Sequence, residues 1–400
     1  MSRASTKSVF VKERLIEARD ARAITQAELA RVLNKAGPTI SNWERGEQAP
    51  EPGTLEQLAQ ALDVTASYLT RPMPQYGSGA IFFRSLSSAT VKARTREKAR
   101  LRWLQHISLT LQNVLDFPEV DLPDFLGGVP FHKLSDADLE GVAESMRRHW
   151  NLGEGPIRNA LLVAENAGVV VGVDEAGSTK IDGQGNWLSE DGRPYILLAR
   201  NKYTAFRRQM DVAHELAHLV LHRHVDDAAL EQHFDLIEDQ AKYLACAFLL
   251  PHRSFASEVH SLSLDGFLAL KPRWMVSVGA MIMRAHQLEM MSDEAARRLW
   301  KYRATRGWHR CEPLDSPADY PVEEPRLLRR SIEMIVDAKV RAKQDFLRID
   351  LGFSGPDVEL LASLPSGYFR EPSNVVAFEP RLREPAMASS AAVVPFRRPV

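Results

Sequence analysis

Residues 210–222, MDVAHELAHLVLH, constrain the fold of this 400-residue chain more than any other segment. Val212, Leu216, Leu219 and Val220 fall at helical spacing, which predicts a helix with one face packed on a core. His214 and His218 stand four residues apart on that helix. They project about 40° from one another and can share one metal ion. Imidazole nitrogen suits Zn²⁺, which is the expected cofactor. Glu215 follows the first histidine directly, so its carboxylate lies beside the metal as a base for water, not as a ligand. Ala213 and Ala217 allow close packing of the helix beneath its metal.

A catalytic zinc site generally has three protein ligands and an open position. The sequence offers His222, His224, Glu231, Asp235 and Glu238 for the third. His222 lies about 80° round the helix from His214 and approaches the metal only with drift. Glu238 heads EDQAKYLACAFLLP, residues 238–251, where Ala241, Leu244, Ala245 and Phe248 form an apolar stripe. Packing of that stripe on the first helix brings Glu238 over the histidine pair. Geometry favours Glu238, with His222 second.

These two segments resemble the ImmA/IrrE family of metallopeptidases, marked by AHELxHLxLH followed by E-x-x-A-x-x-F-A-x-x-L-L-x-P. The match runs over about residues 150–255. It implies that His214, His218 and Glu238 bind zinc and that Glu215 is the general base of an endopeptidase. Leu244, Phe248 and Ala217 depart from the family pattern away from the ligand positions. Arg207 or Arg208 matches an arginine often found before the motif, and a solvated helix residue reads the same way.

A second constellation lies at residues 24–69. Thr25 and Glu28 form a capping box that starts a helix at Gln26. The next helix begins at Gly37 and Pro38, buries Ile40 and Trp43, and ends at Gly46. TQAELA, ISNWERG and LAQALDV are similar to the Cro/C1-type (XRE) helix-turn-helix. In such modules the second helix enters the major groove. The resemblance implies that Gln26 contacts a phosphate, with Thr39 and Asn42, and also Ser41 and Arg45, at the groove. Gly37 and Pro38 stand where polar readers are usual.

The whole reads as an all-α five-helix module followed by a mainly α, α+β zincin-like peptidase domain with a small β-sheet and a helical extension. Expected boundaries are a helix-turn-helix domain at 1–72, a linker at 73–90, helices at 91–150, the peptidase at 151–302, a helical extension at 303–378 and a disordered tail at 379–400. Strands are predicted in VVVGV and PYILLA, and helices at about 205–222, 230–249 and 327–347. The basic stretch 92–102 reads as a solvated helix face. Two cysteines, Cys246 and Cys311, lack metal-type spacing. No stretch approaches the roughly 20 apolar residues of a membrane span, and no signal-peptide core opens the chain, so a cytoplasmic protein is expected. A net charge of −1 says little about partners. The partners expected are a double-stranded DNA operator, a protein substrate such as an XRE-type repressor, and a second copy of the chain in a homodimer, with no membrane. The competing reading is a non-enzymatic XRE-type regulator or toxin–antitoxin component whose zinc domain senses or stiffens.

Overall fold

The computed structural model describes residues 10–76, 80–83, 90–175, 182–200 and 204–370. The tail expected at 379–400 lies outside them. Four helices open the chain: α1 (Lys12–Ala21), α2 (Gln26–Val32), α3 (Gly37–Arg45) and α4 (Pro52–Leu62), closed by a 3-10 turn at Tyr68–Thr70. Thr25 and Glu28 make the reciprocal cap of α2. Pro38 sits in the first turn of α3, where its missing N–H costs nothing. Gly46 ends that helix with φ at 77°, in the left-handed region that glycine favours.

Beyond them come α5 (Val91–Gln112), α6 (Asp136–His149) and α7 (Ala160–Asn166). Ser135 and Asp138 cap α6 reciprocally. The sheet consists of β1 (Phe82–Phe83), β2 (Val170–Asp174), β3 (Gly183–Trp187) and β4 (Pro194–Ala199), in the order β1-β3-β4-β2. β2 and β4 are parallel, and β3 is antiparallel to β4 and to β1. The sequence anticipates β2 and β4 but not the other two. GQGNW reads as a turn because of its glycines, and β1 arises from the stretch expected as a linker.

The sheet separates two cores. Val171, Ile196 and Leu198 face one of them, whereas Val170, Tyr195 and Leu197 face the other. The first core holds α6, α7, α8 (Ala205–Leu221), α10 (Phe234–Leu249), α11 (His252–Glu258), α12 (Leu264–Trp274), α13 (Val278–Gln287) and α14 (Asp293–Thr305). The second joins the N-terminal helices to α5, α15 (Leu327–Asp337), the residues after the short α16 (Lys343–Asp345), and α17 (Gly355–Leu361). Gly172 permits that close packing: a Cβ there would lie 2.4 Å from Leu104 Cδ1 and 2.8 Å from the Leu361 carbonyl. The helix predicted at 230–249 is broken at His233 into α9 (Asp227–Gln232) and α10. The break lets Leu230 and Ile237 join Val225 and Phe82 in a small third cluster. The helix predicted at 327–347 stops at Asp337, with Lys339 at φ 56°.

One buried ion cluster ties these layers together. Arg100 on α5 donates to both carboxylate oxygens of Asp174 at 2.9 Å and to Asp357 at 2.5 Å. Arg22, at the end of α1, also binds Asp357. Burial pushes the Asp357 carboxyl up, but the Arg100 and Arg22 guanidiniums outweigh it and hold it below the ordinary carboxylate range. Removing one partner of such a cluster strands buried charge. Arg100→Met should therefore cost about 3–5 kcal/mol in urea unfolding, and replacing both aspartates by leucine in the same chain should recover most of it. An unchanged unfolding midpoint in the single variant would refute this role.

Candidate metal centre

Helix α8 begins at Thr204, whose side chain accepts from the Arg207 N–H. It carries His214, Glu215 and His218 between β3 and α10, and all three are buried, at 1%, 2% and 0% exposure. After α9, helix α10 folds back along α8 and places Glu238 against its last turns. His214, His218 and Glu238 form a group whose ligating atoms could hold one ion. The His214 and His218 Nε2 atoms lie 3.1 Å apart. Glu238 reaches His218 Nε2 at 3.3 Å and His214 Nε2 at 3.6 Å. Donors about 2.0–2.1 Å from a tetrahedral zinc are about 3.3–3.4 Å apart, so this triangle has the size and the nitrogen–oxygen chemistry of a zinc face.

The other sequence candidates lie elsewhere. His224, Glu231 and Asp235 are exposed. His222 is buried but stands one step back from the triangle, its Nδ1 3.1 Å from His218 Nδ1. Its partners fix the ring tautomers. Gln240 Nε2 donates to the Phe131 carbonyl, so the Gln240 Oε1 faces His222 Nε2 at 3.2 Å. That oxygen can only accept, so His222 carries its proton on Nε2 and accepts at Nδ1. Burial, with His218 adjacent, pushes the His222 pKa well below the usual histidine value, consistent with a neutral ring. His218 therefore donates from Nδ1 and turns a bare Nε2 lone pair toward the triangle.

Glu215 is seated by β3. A Cβ at Gly183 would lie 2.8 Å from its Oε1, and one at Gly185 would lie 3.5 Å from its Oε2. The two glycines that disguise this strand in the sequence are the ones that make room for the carboxylate. Arg207 on α8 binds Asp182 at 2.9 Å, holding the start of β3 to the helix. Arg208 lies against the Ala199 carbonyl. Sequence reasoning misses Gly183, Gly185 and Gln240, and it singles out FFRS at 82–85 without assigning Phe82 any chemistry. The signal for the two glycines is their G-x-G spacing. The Phe82 ring stacks on His218 at 4.8 Å with planes 5° apart.

The chain Phe131–Gln240–His222–His218 gives a direct test. Gln240→Leu keeps the volume and removes the link, so zinc affinity should fall about 10–100-fold. Competition with a chromophoric chelator measures it, and an unchanged affinity would show that the chain does not orient His218.

On the N-terminal module, Thr39, Ser41 and Asn42 are partly exposed and Arg45 is exposed, all on α3. Arg45 donates to Ser41 and Asn42 and pairs with Glu47. Gln26, at the start of α2, donates to Glu44 of α3, which also binds Arg19. A Cβ at Gly37 would meet nothing within 4 Å.

Residues 15–69 match a helix-turn-helix family model, and residues 164–286 match that of the IrrE N-terminal-like domain, a peptidase family. No curated protein matches the chain. No helix among the described residues is long and apolar enough to cross a membrane. The protein is thus a fusion of an XRE-type helix-turn-helix DNA-binding module with an ImmA/IrrE-type peptidase domain.

Proposed function

We propose that this protein is a DNA-binding transcriptional regulator that carries a zinc-dependent endopeptidase. Its substrate is a protein, a partner repressor of XRE type, within a prophage or stress-response circuit. The substrate and circuit follow the family resemblance. The chemistry rests on the convergence of His214, His218 and Glu238 beside Glu215. Bound by the three, zinc supplies Lewis-acid polarisation of a peptide carbonyl and makes water a better acid. Glu215 accepts the proton of the attacking water on its carboxylate and passes it to the departing amine nitrogen. Gly183 and Gly185 keep that carboxylate close to the donor triangle. His222 and Gln240 keep the His218 lone pair aimed.

Metal content tests the reading. The wild-type chain should hold about one zinc, lost in His218→Ala and Glu238→Ala. Glu215→Gln should retain the metal and lose about 10²–10⁴-fold in the rate of cleavage of a co-purified XRE-type repressor, read by mass spectrometry. A wild-type chain without metal after zinc supply would overturn the peptidase assignment.

For the DNA module, Ser41, Asn42 and Arg45 are the proposed groove contacts, with Thr39 at the helix start and Gln26 on the backbone. On a duplex selected from a random pool, Asn42→Ala should cost about 1–3 kcal/mol and relax preference at one base pair. Gln26→Ala should weaken binding evenly across sequences. Equal losses on selected and random duplex would remove Asn42 from base recognition.

A further inference from the structure

An endopeptidase must admit an extended chain, yet His214, Glu215, His218 and Glu238 are all 4% exposed or less. Part of what covers them is the chain's own segment 80–83. Phe82 is 2% exposed and lies flat on the His218 ring, with planes 5° apart. Its backbone pairs antiparallel with β3, Phe82 opposite Gly185 and Phe83 opposite Gln184. β3 is the strand that seats Glu215. Without β1 it would be the edge of the sheet, because β1 is its outer neighbour. An exposed strand edge beside a general base is the natural place for an extended peptide to add as a further strand. β1 already stands there.

We propose that residues 80–83 act as an internal blocking strand, filling the edge of β3 where the substrate strand pairs, and that cleavage requires their displacement. This rests on the peptidase reading above. The hold is local: two paired residues, the Phe82 ring, the buried Ala80 and Ile81 side chains, and the Ala80 N–H donating to the Val225 carbonyl at 3.2 Å. A strand this short is marginal by itself and opens locally without unfolding the helices beneath it. Carried on along the antiparallel register, Ala80 falls opposite Trp187. Trp187 and Val225 both line a cleft of about 330 Å³, so the track leads onward from the metal triangle into an open recess. The substrate is accordingly an extended, unfolded segment and not a folded surface. β1 lies between the helix-turn-helix helices and α5 in the chain, so an event at the DNA-binding module is connected covalently to the blocking strand.

The test uses the full zinc-loaded chain and two variants. Phe82→Ala removes the ring over His218, and Ala80→Pro removes the backbone anchor without opening a cavity in the core. Transfer of zinc to excess chelator should be at least about tenfold faster in both than in the wild type, with zinc content per chain unchanged. Cleavage of an unstructured peptide pool should rise in parallel. Loss of a β1 that merely braces the site would also speed zinc transfer but would lower zinc content and cleavage together, and that result would overturn the proposal. Wild-type rates of zinc transfer in both variants would also overturn it while leaving the metal site intact. If the wild type holds no zinc, the peptidase reading fails first, and the blocking strand fails with it.

Discussion

A helix that carries two imidazoles and a carboxylate on one face can be buried only if every one of those groups finds a partner, because stranded polar groups cost several kcal/mol each. The seating of α8 decides what each of them meets, and much of the architecture follows from it. On one side β3 approaches without side chains at Gly183 and Gly185, so Glu215 fits against bare backbone. On the other, α10 brings Glu238 to the two histidines. A packed helix in place of β3, or any residue with a Cβ at Gly183, would push the carboxylate out of place. The cost is a strand with little intrinsic preference for being one, and the sheet supplies what its composition lacks through pairing with β4.

This explains which parts of the fold the sequence reveals. The α8 and α10 patterns repeat over several turns, and their apolar stripes are long enough to be unambiguous. VVVGV and PYILLA are strands by composition alone, buried on both faces between two cores. β3 is invisible because its inward positions are held by glycine for the sake of Glu215, and its outward ones by Gln184 and Asn186, which bond to the Glu97 carbonyl and to Gln105 of α5. β1 is invisible because it is two residues long and owes its conformation to β3. The break at His233 and the end of α15 at Asp337 were hidden for a similar reason: helical periodicity continues through them, and distant packing ends the helix. The residues of the metal triangle were readable, since their spacing is a local property of two helices. The groups that aim and cover them belong to other elements, and only tertiary packing brings them there.

The same sheet that seats α8 on one face packs the N-terminal module on the other. Leu29, Ile40, Trp43 and Leu58 share an apolar core with Trp103 of α5, Tyr195 of β4 and Val358 of α17. Arg100 and Arg22 converge on Asp357 across that core, and Trp103 donates to Tyr68 within it. A shared core of this kind joins α3 to α5 and to the far face of the sheet by direct packing.

The cover over the metal triangle has two halves with different status. β1 contributes a ring stacked on His218 and a pair of strand residues. The turn at Phe131–Lys133 is different. Its Phe131 carbonyl accepts from Gln240, and through His222 that bond decides which nitrogen of His218 bears the proton. Lifting β1 leaves this relay of hydrogen bonds whole, so the donor set stays aimed while the edge of β3 opens. Lifting the turn would let Gln240 rotate and His218 take either tautomer, disarming the site as it was exposed. On the peptidase reading proposed above, the half of the cover that can lift while the donors stay aimed is β1, the half that follows the helix-turn-helix module in the chain.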